Sequence, residues 1–392
     1  MKILFCNYEH PPLGGGGGVV MAALARELAR RHAVTVLTSR ALGLPAESLE
    51  GGVRIVRVPV FFRRELAVAN FPSMLAYAPA AMLRGLTLRG AGGFDVINTH
   101  FVVPTGPVGH VLRSIYRIPN ILSVHGGDLY DPSKASSPHR HAWLRAPIKY
   151  LLEGADRLVG QSRNTLEHVE TFYGVHRQAQ LIPLGIERPP AAIRSRREFG
   201  LPEDAFVMVT VGRVVARKAT VLLVKALKAA ARPNTHLLIV GDGPDAEAVR
   251  RAAAQAGLAD YVHLTGQVSE ERKFQALAGA DIFVSASQHE GFGLVFLEAM
   301  AYGLPIICFD HGGQTDFLAS GETGFVVRLN DVEAFTQGIV QMHDSPPLAQ
   351  RMRQVNLNRV EDYFIDKCAQ RYEALFEDAV RSASDARMTG ER

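Results

Sequence analysis

Residues 285–310 read SASQHEGFGLVFLEAMAYGLPIICFD. The stretch leaves a short β-branched run, turns through Gly291, Phe292 and Gly293, continues as an apolar helix-length segment and closes on a second apolar run. Strand, helix and strand in that order form the unit of a parallel sheet with crossover helices. Two glutamates, Glu290 and Glu298, stand within it. At this point each reads either as a solvated surface acid or as a ligand-binding carboxylate.

The same alternation runs outward in both directions. The first half offers KILFCN, AVTVLTS, VRIVRVPV, FDVINTHF, NILSVHG, RLVGQS and AQLIPLG as strands, and the second FVMVTVGR, HLLIVGDG, YVHLTGQV, IFVSAS, PIICFD and GFVV. Helix-length segments separate them, so the predicted fold class is α/β with doubly wound parallel sheets. At 392 residues the chain is too long for one ordinary core. We expect two Rossmann-like domains, 1–185 and 186–360, divided near the Gly185 to Pro190 stretch. Residues 361–392 are expected to form a helix returning to the first domain, with 382–392 as a frayed tail. Facing sheets of this kind would present the C-terminal ends of their strands to a central cleft, where such folds bind ligands.

Composition narrows the class. The apolar share of 47 % and charged share of 21 % are those of a soluble globular protein. Three widely spaced cysteines, Cys6, Cys308 and Cys368, suit neither a disulfide framework nor a zinc site and point to a reducing cytosol. The N-terminus reads as a first strand rather than a signal peptide. Up to Gly185 there are 20 Lys and Arg against 12 Asp and Glu, and beyond it 23 against 27. A basic first half suits an anionic partner or a merely solvated surface. Residues 66–83 carry no charge. Pro72, Pro79, Asn70 and Ser73 argue against a membrane span, leaving an interfacial patch or a buried helix pair.

Several motifs follow strands. Gly14 to Gly18 precede an amphipathic helix, where bare backbone would approach a diphosphate closely or form only a flexible loop. The run fits neither a dinucleotide fingerprint nor a P-loop, which weakens nicotinamide and NTPase readings. In HGGDLYD, His125 and Asp128 would face a sugar or phosphate, or close a local turn. Arg213 and Lys218 in VGRVVARKA suit a diphosphate or are surface charges. Gly241 begins another Gly-rich turn. The helix after Gly293 would offer its first-turn N–H groups to an anion. Glu298 is expected about two helical turns beyond Glu290, on nearly the same helix face.

Together these residues resemble the retaining GT-B glycosyltransferases of family 4, also called glycosyl transferases group 1. The resemblance runs from the first strand to about Phe335. It is carried most specifically by EGFGLVFLEAMAYGLPII, the family's E-x7-E pattern, followed by HGGQTDFLASGETGFVV. It implies that Glu290 binds hydroxyls of the donor sugar and Glu298 the ribose. Arg213 and Lys218 would neutralise the leaving diphosphate with N–H groups of Gly291, Phe292, Gly293, Leu294 and Val295. His125 would lie near the attacked sugar carbon with Asp128 nearby, and Val268 near the base. Gly15, Gly16, Gly17 and Gly18 would approach the donor phosphate or the acceptor. Ala219 and Asp316 depart from the family's Gly and Glu, and no Asp-x-Asp occurs. The implied reaction moves a sugar from a UDP- or GDP-linked donor, without a required cofactor, to a glycan or lipid-linked acceptor. Nucleic acid is not an expected partner, and the expected location is cytoplasmic, with an anionic membrane surface as a further partner. A GT-B epimerase or phosphorylase is the rival reading.

Overall fold

A computed structural model describes residues 1–41, 43–60, 71–88, 93–132, 134, 137–191 and 194–389. The chain forms two compact units, Met1–Glu187 with Phe364–Arg392, and Arg188–Tyr363.

The first unit runs β1 (Lys2–Asn7), α1 (Gly16–Ala29), β2 (Ala33–Arg40), β3 (Glu47–Glu50), β4 (Val53–Pro59), α2 (Phe71–Leu88), β5 (Val96–His100), α3 (Gly106–Tyr116), β6 (Asn120–Val124), α4 (Ala142–Gly154), β7 (Arg157–Gly160), α5 (Arg163–Tyr173) and β8 (Gln180–Leu181). Among the described residues its strands make one sheet ordered β3-β4-β2-β1-β5-β6-β7-β8. Ile3, Leu4, Phe5 and Cys6 are all buried, because helices cover both faces of a parallel sheet and leave no polar side for alternation. The order reverses between β1 and β5, which stay paired to their last residues, Asn7 and His100.

The second unit runs β9 (Phe206–Val211), α6 (Val221–Ala230), β10 (Thr235–Val240), α7 (Ala246–Ala256), β11 (Val262–Leu264), α8 (Glu270–Gly279), β12 (Ile282–Ser285), α9 (Leu294–Ala301), β13 (Ile306–Phe309), β14 (Gly324–Val327), α10 (Val332–Asp344) and α11 (Pro346–Arg359). Its sheet is all parallel, ordered β11-β10-β9-β12-β13-β14. That is the 3-2-1-4-5-6 order of dinucleotide-binding sheets, with its switch point between β9 and β12.

Four details differ from the sequence reading. Strand β3 is antiparallel and was not anticipated: ESLE lacks an apolar run and is held at the edge by ion pairs of Glu47 with Arg54 and Glu50 with Arg57. Within the uncharged segment, residues 66–70 lie outside the described residues, and the rest belongs to one helix rather than two. Pro72 sits in its first turn, where the missing N–H is not needed, and the helix continues through Pro79. No helix among the described residues is long and apolar enough to cross a membrane. The C-terminal helix α12 spans Ile365–Met388, after a 3-10 turn at Val360–Tyr363, instead of beginning at Glu361.

Residues 382–388 continue helix α12 instead of fraying, and 390–392 lie outside the described residues. Helix α12 buries Cys368, Ala369, Tyr372, Leu375, Phe376, Ala379 and Ala383 at helical spacing within the first unit, and burial anchors the helix as far as Ala383. Glu373, at the margin of that buried stripe, receives Arg31 at 2.8 Å and His32 at 2.7 Å.

Candidate active site

In the second unit, the switch point brings the loop after β9 against the loop after β12. Gln288 N–H donates to the Arg217 carbonyl at 2.8 Å, and Arg217 Nη1 donates to the His289 carbonyl at 2.9 Å. This seam places Lys218 beside Glu290: the ammonium donates to Glu290 Oε1, and Arg217 Nη1 stands 3.6 Å from Oε2. Glu290 is 7 % exposed. Burial pushes its carboxyl up, but Lys218 and Arg217 outweigh that and hold it below the usual carboxylate range. Arg213, two residues past β9, is exposed and makes no ion pair among the described residues.

Glycines let the loops cross. At Gly241, with φ of 143°, a Cβ would lie 2.0 Å from the Gly212 carbonyl oxygen. Its visible role is thus close backbone approach. Gly312, with φ of 133°, lies against the Glu290 backbone in the same way and forms a bridge with it. Beyond it Gln314 is buried, with Oε1 lacking a hydrogen-bond partner.

The interval between the two glutamates is not one helix. Glu290 is in the bridge to Gly312, Gly291 and Phe292 make a bend, and Gly293, at φ of 91°, caps α9. Only Leu294 onward is helical, so the expectation of one shared helix face is corrected: the glycines reverse the backbone first. The first-turn N–H groups at Leu294 and Val295 lack intrahelical acceptors. Glu298 is instead bonded at 2.8 Å to Lys273 on α8, which also meets Glu270 at 2.8 Å. Burial presses the Lys273 ammonium toward neutrality, and the two carboxylates more than offset it. Val268 lines a cavity of about 490 Å³ with Phe199, His263, Thr265, Gln267 and Arg272.

In the first unit, α1 begins inside the glycine run, so Gly16, Gly17 and Gly18 are helical and Gly14 and Gly15 form the loop proper. Gly15 N–H donates to Glu9 Oε2 at 3.3 Å. A carboxylate there repels phosphate and suits a hydroxyl donor. A Cβ at Gly17 would meet the Phe101 ring at 2.7 Å. Phe101 holds φ of 68°, a region few non-glycine residues adopt. Its ring centroid is 4.2 Å from that of His125.

The imidazole and carboxylate of HGGD turn inward. Asp128 accepts from His125 N–H at 2.9 Å and from Val102 N–H at 2.7 Å, which is the local turn left open by the sequence. Burial lifts Asp128 to about 6, against those N–H donors. Both His125 ring nitrogens have protein partners, His100 at 3.0 Å and Gln161 at 3.1 Å, and burial takes its pKa down to about 4.

Residues 192–359 match the family model described as Glycosyl transferases group 1, and residues 14–188 that described as Glycosyltransferase Family 4. A D-inositol 3-phosphate glycosyltransferase of Acidothermus cellulolyticus is 30 % identical over 381 residues, covering 88 % of this chain and 82 % of the relative. The chain belongs to the group 1 glycosyltransferases. It is also 27 % identical to a GDP-mannose-dependent alpha-(1-6)-phosphatidylinositol monomannoside mannosyltransferase of Mycolicibacterium smegmatis, over 89 % of this chain and 91 % of that one. Sucrose-phosphate synthase from Thermosynechococcus elongatus has the same fold, with a TM-score of 0.82, 24 % identity and coverage of 97 % and 100 %. So does Anabaena HepE in complex with UDP and glucose, at 0.75, 17 %, 96 % and 100 %. The fold is therefore GT-B.

In this glycosyltransferase several neighbours of the predicted groups were missed from sequence. Arg217 lies inside the quoted VGRVVARKA, and a second cation beside Lys218 was its only signal. Lys273, 25 residues before Glu298, and Gln161, 36 after His125, carried no motif and are joined to them only by folding. Glu9 could have been suspected from a lone acid just before the glycine run.

Proposed function

We propose that this glycosyltransferase moves a hexose, with retention of configuration, from a UDP- or GDP-linked donor to an acceptor hydroxyl on a glycan or lipid-linked carrier in cell-surface glycan, exopolysaccharide or glycolipid synthesis. The observation that carries the donor reading is the cation group at the β9–β12 switch point, where Lys218 and Arg217 face Glu290 and Arg213 stands exposed. Doubly wound sheets bind nucleotides at that place.

Negative charge grows on the diphosphate as the glycosidic bond breaks. Arg213 and Lys218 meet it, and N–H groups at the start of α9 add to the field. Glu290 then exchanges its Lys218 bond for sugar hydroxyls, and Glu298 takes the ribose, with Val268 and its cavity on the base side. The first unit serves the acceptor: the Glu9 carboxylate at Gly15 makes that loop a hydroxyl site rather than a phosphate site. Leaving-group oxygen takes the acceptor proton, since the His125 nitrogens are both engaged internally. The names of the relatives support a phosphorylated or lipid-borne polyol acceptor, and the basic first half supports docking at an anionic bilayer from the cytoplasmic side.

The test is a thermal-shift screen of UDP- and GDP-sugars, because a ligand bound only by the folded chain raises its melting temperature. The stabilising donor is then incubated with inositol phosphates and lipid-linked glycans, and the product anomer read by NMR. Stabilisation by no nucleotide sugar, or a product of inverted configuration, overturns the reading.

A further inference from the structure

Six buried polar side chains from four parts of the first unit form one continuous hydrogen-bonded row. Tyr372 on α12 donates its hydroxyl to Ser123 Oγ at 3.0 Å, and Ser123 donates to Asn98 Oδ1 at 3.2 Å. Asn98 Nδ2 meets His100 Nε2 at 2.8 Å, His100 Nδ1 meets His125 Nε2 at 3.0 Å, and His125 Nδ1 meets Gln161 Oε1 at 3.1 Å. Gln161 Nε2 closes the row by donating to the His125 carbonyl. Asn98, His100, Ser123, Gln161 and Tyr372 are each under 5 % exposed, so water does not complete their bonds.

The row runs in one direction only. A backbone carbonyl accepts and never donates, so the Gln161 amide must turn its NH2 toward the His125 carbonyl and its oxygen toward Nδ1. That oxygen also only accepts, which puts the His125 proton on Nδ1. Nε2 is then a lone pair, filled by His100 Nδ1–H. His100 Nε2 is in turn an acceptor, filled by the Asn98 NH2. The Asn98 oxygen faces Ser123, whose hydroxyl donates to it and accepts from Tyr372. Reversing any one bond would bring two donors or two acceptors together in a dry interior, at the expense of an unmade hydrogen bond.

We propose that Gln161 and His100 are positioning residues that lock His125 as the neutral imidazole protonated on Nδ1, through a one-way row of buried hydrogen bonds reaching from Tyr372 on the C-terminal helix. The locked ring offers no nitrogen to substrate. It keeps a fixed neutral face against Phe101 and fixes the HGGD turn, whose Gln161-bonded carbonyl is part of the same row. The significance for catalysis rests on the reading of His125 as an active-site group; the tautomer itself does not.

The test is long-range 1H–15N correlation on the full-length protein labelled with 15N-histidine, without substrate, at pH 7. Rings are assigned from His100→Asn and His125→Asn. Both rings are expected neutral and protonated on Nδ1. An Nε2-protonated or charged form of either ring overturns the proposal. Gln161→Leu removes the anchor while Gln161→Asn keeps an amide. With circular dichroism confirming that each folds, Gln161→Leu is expected to lose the single Nδ1–H signature of His125, whereas Tyr372→Phe, at the far end, retains it. A His125 signature unchanged in Gln161→Leu also overturns the proposal. Because the readout needs no sugar, failure of the donor reading leaves this result standing, and the reverse.

Discussion

The Lys218 ammonium bonds the Glu290 carboxylate although 72 residues separate them. Two strand-to-helix loops, after β9 and β12, make that contact. Because the pair is largely buried and Arg213 is not, the two cations are expected to respond differently to removal.

Arg213→Ala is expected to lower turnover by about 10² to 10³, the usual loss for one transition-state donor, while leaving stability within about 0.5 kcal/mol. Lys218→Ala is expected to lower turnover as much and also to destabilise by about 1–3 kcal/mol, since the buried Glu290 carboxylate loses its nearest cation and keeps Arg217 and a Ser287 hydrogen bond. Steady-state kinetics and urea unfolding on the two variants check this. Full turnover in both would remove the leaving-group role.

Lys273 and Glu298 make a second prediction. Calorimetry with free UDP and GDP should show Glu298→Ala binding the preferred nucleotide about tenfold more weakly, a difference of about 1.4 kcal/mol. Lys273→Met should weaken it in the same direction, because Glu298 loses the partner that orients it. Unaltered affinity in Glu298→Ala would exclude ribose contact.

Gly293 and Gly15 form a contrast. An alanine at Gly293 meets both a left-handed φ and the Phe296 ring at 2.5 Å, whereas a Cβ at Gly15 has nothing within 4 Å. Gly293→Ala is expected to cost at least about 1–2 kcal/mol and to displace the start of α9, lowering donor affinity. Gly15→Ala should unfold at nearly the wild-type urea concentration.

Acid sensitivity is the fourth. Burial takes His125 from 6.5 down to about 4, so the unfolded chain binds this proton first. The stabilisation is full above about pH 6.5 and is lost as pH falls toward 4. Asp128, lifted from 3.8 to about 6, has the opposite sign and gains stability as pH falls through that window. His125→Gln should therefore lose less stability than wild type between pH 7.5 and 4.5, by up to about 3 kcal/mol. Parallel slopes for the two proteins would contradict the buried neutral ring.

The strands could be read because each is an apolar β-branched run bounded by turn residues, and the core faces of parallel sheets need nothing more. Glu47–Glu50 escaped that reading because an edge strand held by ion pairs has no apolar signature. Arg213, Lys218, Glu290 and the glycines after them stood out because loops at strand ends carry their chemistry in short local patterns. Which groups pair was another matter. Glu290 with Lys218, Glu298 with Lys273, and His125 with His100 and Gln161 are contacts between segments 25 to 72 residues apart. The direction of the row from Tyr372 to Gln161 depends on six side chains meeting in a dry interior, where each donor must find an acceptor. Local sequence names the groups, and only the packing of strands and loops in the folded sheets determines which of them share a proton.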